Sequence, residues 1–88
     1  MNIIKVSARS RTAAVAGAVA GVMREAQRAE VQAIGAGAVN QALKAIIIAK
    51  GYLAEEGVEI MCDPSFVEVS IDDQERTAIR VVVEPRPK

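Results

Sequence analysis

The chain has 88 residues, 51% hydrophobic and 25% charged, with eleven cations balanced by eleven acids. That is the composition of one small folded domain spanning residues 1–88, with a modest core, and not of a disordered tail. Aromatic residues are Tyr52 and Phe66 alone, which argues against a base-stacking platform, and no cofactor is expected. With no histidine and a single cysteine, Cys62, the chain can build neither an intrachain disulfide nor a Cys/His metal site. Its longest apolar run, Ala13 to Met23, is eleven residues rich in alanine and glycine, too short to span a bilayer. No charged-then-apolar leader opens the chain, so a cytoplasmic location without a membrane partner is expected.

The neutral total hides a division. Residues 1–52 carry seven cations against two acids, net +5, and residues 53–88 carry four against nine, net −5. A polarised chain can present a basic face to a polyanion although its pI is near 6.2.

In chain order, the β-branched run Ile3-Ile4-Lys5-Val6 within Asn2 to Ser7 predicts a first strand. A basic loop with Arg9 and Arg11 follows, and Ser10 or Thr12 is placed to cap the next helix. Val15, Ala18, Val19, Val22, Met23 and Ala26 recur at helical spacing, predicting a helix from about Ala13 to Arg28. Gly17 and Gly21 interrupt it at a cost of about 1 kcal/mol each, which close packing of that smooth face would offset. Glu30 to Ile34 reads as a second strand, and a second helix runs to about Lys50, with Gly51 at a C-cap position. Val58 to Cys62 opens a third strand that Asp63-Pro64 interrupts, and Ser65 to Ile71 resumes it. Cys62 reads as core there. Asp72-Asp73-Gln74 is a turn, and Arg76 to Glu84 alternates as a last strand before the tail Pro85 to Lys88. The order β-α-β-α-β-β predicts an α/β (α+β) two-layer sandwich. Right-handed crossovers put two helices on one face of a mixed four-stranded sheet that ends in a long hairpin.

The most distinctive stretch joins the second strand to the second helix. Gly35 and Gly37 flank Ala36 in a turn where positive φ or close backbone approach is available. Asn40, Gln41 and Lys44 place polar groups and a cation near a helix start, whose free N–H groups suit anions. The turn is a partial dinucleotide fingerprint, with Glu55 about twenty residues on, but it lacks the third glycine. The sheet is also too small for a dinucleotide fold. Ser7 and Ser10 have no histidine to activate them, and Asp72, Asp73 and Glu75 read as a solvated hairpin tip, so no enzyme is expected.

Lys5-Val6-Ser7, Val15 to Val22, Gln32 to Ala42, Glu75 to Arg80 and Val83-Glu84-Pro85-Arg86 together resemble the stage V sporulation protein S family across nearly the whole chain. The resemblance implies an Alba-like fold, nucleic-acid binding, a dimer, and a part in the regulation of development. Alba proteins carry adjacent lysines in the loop after the first strand, where this chain has Arg9 and Arg11. They carry arginines at the turn into the second helix, where it has Gly35 and Gly37. The expectation is a small regulatory protein that binds DNA or RNA through phosphates as a homodimer. Lys5, Arg9, Arg11, Asn40, Gln41, Lys44, Arg76 and Arg80 would form the interface, and Gly35, Ala36 and Gly37 a phosphate or ligand pocket. A protein-interaction module that docks a developmental partner on its glycine-rich surfaces is the alternative.

Overall fold

Which faces are apolar decides how the strands pair. In the computed structural model, which describes residues 3–87, the elements are β1 (Ile3–Val6), α1 (Thr12–Ala26), β2 (Ala29–Ala33), α2 (Ala36–Glu55), β3 (Ile60–Ile71) and β4 (Gln74–Pro85). They form one sheet in the order β1-β2-β4-β3, with β1 parallel to β2 and β4 antiparallel to both of its neighbours. Because β2 and β3 both oppose β4, they run parallel, and each helix is a crossover between parallel strands. Such crossovers return antiparallel to the strands, so α1 and α2 run side by side in the same direction and begin at the same end of the sheet.

The core lies between the sheet and the helix pair. Ala29, Val31, Ala33, Val81 and Val83 meet Val19, Met23, Ile46 and Leu53 there. Leu53, Val19, Val31 and Val83 are the largest fully buried side chains, and burial of each contributes roughly 1.5–3 kcal/mol. Ala16, Ala20, Ala38, Ala42, Ala45 and Ala49 are also buried, and with side chains this short the helices pack directly on one another. So small a set of buried carbons makes a thin core.

Several local expectations are corrected. Neither Ser10 nor Thr12 caps α1: its N-cap is Arg11, without a side-chain bond, while Ser10 Oγ accepts a hydrogen bond from the Ser7 amide at 2.9 Å. The second helix runs through Gly51 to Glu55, because Ala49 and Leu53 continue its buried stripe, and Gly57 (φ +80°) takes the left-handed position beyond it. Pro64 does not interrupt β3, because β3 is an edge strand whose outer N–H groups need no partner. Cys62 is exposed on that edge, not core, although partial burial still pushes its thiol pKa up. Gly17 and Gly21 are not required by close packing, since among the described residues a Cβ at either would meet no heavy atom within 4 Å outside the helix's own backbone.

The two open helical glycines should therefore be improvable. Gly17→Ala and Gly21→Ala are each expected to stabilise the chain by about 1 kcal/mol in urea unfolding. Gly37→Val should instead destabilise it by about 1–3 kcal/mol, because a Cβ there already lies 3.0 Å from Ala8 Cβ.

Candidate nucleic-acid interface

The end of the sheet where both helices begin gathers most of the residues singled out in the sequence. The loop between β1 and α1 is braced from within: Ser7 Oγ accepts from the Arg9 amide at 3.2 Å and lies 3.3 Å from Ser10 Oγ. It is held from outside by α2, where Gln41 Nε2 donates to the Ser10 carbonyl at 2.7 Å and Gly37 lets Ala8 approach. Gly37, Gln41 and Lys44 follow at i, i+4 and i+7, so Lys44 stands on the side of α2 that faces this loop. Arg9, Arg11 and Lys44 are exposed there and form no ion pair among the described residues.

The backbone adds to this field. Both helices start without a side-chain cap and without an acid in the first turn. Gly35 (φ +91°, ψ 157°) turns the chain into α2 and leaves the first-turn amides of α2 without a side-chain acceptor. Two parallel helices thus point the positive ends of their dipoles at one surface, where an anion is stabilised by charge and by free N–H donors. Asn40 is exposed one residue before Gln41, on the adjoining side of α2.

The other cations are separated from this patch. Register places Lys5, Arg76 and Arg80 on the sheet face opposite the helices, Lys5 beside Gln32 and Gln32 beside Arg80. Arg80 Nη1 lies 3.9 Å from Glu30 Oε1, which Arg28 also bonds at 3.2 Å. Glu30 is 8% exposed and was not singled out in the sequence, although the Arg28-x-Glu30 spacing puts both side chains on one strand face. The hairpin projects past the helix starts, but its tip carries Asp72, Asp73 and Glu75, and among its charged residues the acids outnumber the arginines.

A second surface adjoins the patch. Phe66 is 77% exposed, Ile47 66% and Leu43 49%. Leu43 and Phe66 face each other across a cleft of about 540 Å³ floored by Ala33, Val39 and Ile79. At the far end of the helices the Arg24 guanidinium donates to both carboxylate oxygens of Glu56, Nη2 to Oε2 at 2.7 Å. No helix among the described residues is long and apolar enough to cross a membrane, and no cluster of metal-binding side chains is found among them.

These features define a class before a family. A solved structure, Alba from Thermoplasma volcanium, matches with a TM-score of 0.64 at 15% identity, over 94% of this chain and 99% of that one. The fold is therefore Alba-like, an α+β sandwich with a long terminal hairpin. The family model described as Stage V sporulation protein S (SpoVS) matches residues 2–86, and the chain belongs to that family.

The Arg24 pair has a measurable signature. Its hydrogen bonds hold the Glu56 carboxyl below the usual glutamate pKa, so its contribution exists above that value and is lost on acidification. An NMR titration should find the Glu56 midpoint low in the wild type and returned toward the ordinary value in Arg24→Gln.

Proposed function

We propose that this chain is a non-enzymatic regulatory protein of the sporulation type that binds DNA or RNA through its phosphates, without sequence specificity, as a homodimer. One observation carries the reading: two uncapped, acid-free helix starts converge with Arg9, Arg11 and Lys44, none of them neutralised by a carboxylate among the described residues. The Alba-like fold supports it. Contacts of this kind position a backbone and read no bases. Asn40 adds a hydrogen-bonding group at the rim, while Gln41 serves by holding the loop. The acidic hairpin tip keeps the arm from being a main phosphate contact.

The second copy is argued from the apolar surface. A thin core of alanine and valine leaves little stability per residue, and Leu43, Ile47 and Phe66 form an exposed face next to a cleft. A two-fold pairing lets Phe66 of each copy fill the cleft of the other. It would also double the number of basic loops available to one polyanion.

Arg9→Ala with Arg11→Ala should weaken oligonucleotide binding about equally across sequences. In anisotropy titrations the double substitution should lower the steepness of the salt dependence by about two per chain. Unchanged affinity would refute the assignment, and a partner protein retained after nuclease treatment would favour the interaction-module reading. Ile47→Glu with Phe66→Glu should convert a dimer to a folded monomer in sedimentation equilibrium.

A further inference from the structure

The outer face of the sheet carries a polar row that the phosphate-backbone reading does not use. Register aligns Lys5, Gln32, Arg80 and Ser65 across all four strands, one residue from each. Directly opposed residues in a sheet stand about 4.5–5.5 Å apart, so these side chains form a continuous strip. Within the strip Lys5 and Arg80 are the charged members, and the nearest carboxylate, Glu30, is shared between Arg28 and Arg80. Asp63, one row away on the edge strand, is exposed to solvent.

The Arg80 guanidinium is incompletely satisfied. Its Nε is buried and has no hydrogen-bond partner among the described residues, an arrangement that lowers stability. Its ion pair with Glu30 is long, at 3.9 Å, and Arg28 bonds the same carboxylate oxygen at 3.2 Å.

Beside this row the hairpin shares a cleft with β1 and β2. Lys5, Ser7 and Gln32 line one side of a cleft of about 550 Å³, and Val69 and Ile71 from the hairpin line the other, with Ile3 at the strand edge. A volume of this size suits a small metabolite. An ammonium, an amide and a hydroxyl on one wall suit a doubly charged anion, and the aliphatic wall suits an uncharged organic body.

We propose that this cleft binds a small organic phosphate ester. Lys5, Gln32 and Ser7 hold the phosphate, the Arg80 charge on the adjoining strand strengthens the field, and Ile3, Val69 and Ile71 cover the organic part. A phosphate monoester carries about −1.5 to −2 at neutral pH, which the Lys5 ammonium in the cleft and the Arg80 guanidinium beside it attract. The site lies on the face opposite the helices and does not depend on the nucleic-acid reading. It also joins the hairpin to the body of the sheet, so occupancy would fix the angle of the arm.

The test uses AMP as the probe, with adenosine and inorganic phosphate as the comparison arms, observed through the backbone amides of the full chain by NMR. AMP is expected to shift Lys5, Ser7, Gln32 and Val69 saturably, and each comparison compound to bind about tenfold or more weakly. Lys5→Gln, at an exposed position outside the core, should weaken AMP by about tenfold while the rest of the spectrum stays in place, and Gln32→Leu should do the same. The Arg9→Ala, Arg11→Ala double variant should keep AMP binding, which separates this site from the oligonucleotide interface. Shifts confined to Arg9, Arg11 and Lys44, no saturable shift at millimolar AMP, or equal affinity for inorganic phosphate would each overturn the proposal.

Discussion

One contact governs the arrangement of the basic end: the seating of the loop after β1 against the first turns of α2. Gly37 admits Ala8 at a separation no side chain would tolerate without a shift, and Gln41 anchors the Ser10 carbonyl beside it. With that loop pinned, Arg9 and Arg11 are held near the helix starts, and the entropy of ordering the basic loop is spent on folding. The glycine turn therefore acts through shape. It contributes no charge, yet it decides where the charges of its neighbour stand.

Much of the architecture was legible in the chain because its periodicities are clean. The helical period of α1 is right, but its buried stripe is Ala16, Val19, Ala20 and Met23, while Ala18 and Ala26 of the expected stripe are exposed. In β4 the alternation buries Val81 and Val83 toward the helices, and Ala78 and Val82 are buried on the other face as well. Errors arose where a local signal competed with tertiary context. Gly51 looked like the end of α2, but the buried Ala49 and Leu53 carry the helix across it. Pro64 looked like a break, but strand order, which no local pattern reveals, makes β3 an edge. Gly17 and Gly21 looked like packing glycines, and their surroundings are open.

The candidate site residues were legible as types and not as a set. Arg9, Arg11 and Lys44 come together because parallel crossovers start at one end of the sheet, which element order alone implies. Lys5 and Arg80 belong to another surface, because strand alternation assigns them to the far face and register then places them in one row with Gln32. Glu30 escaped notice since its importance depends on Arg80, fifty residues away in sequence and one strand away in space. Charge counting by halves of the chain saw the polarity but could not see that the acidic half folds back beside the basic one.

The long edge strand β3 has a consequence for how copies of this chain can gather. Pro64 offers no amide to an incoming strand, and Asp63 and Glu68 stand exposed on either side of it. At the other margin of the sheet, β1 offers four residues among those described. Extending the sheet from molecule to molecule is thereby discouraged at both borders, which steers self-association toward closed contacts between faces and away from open-ended fibres.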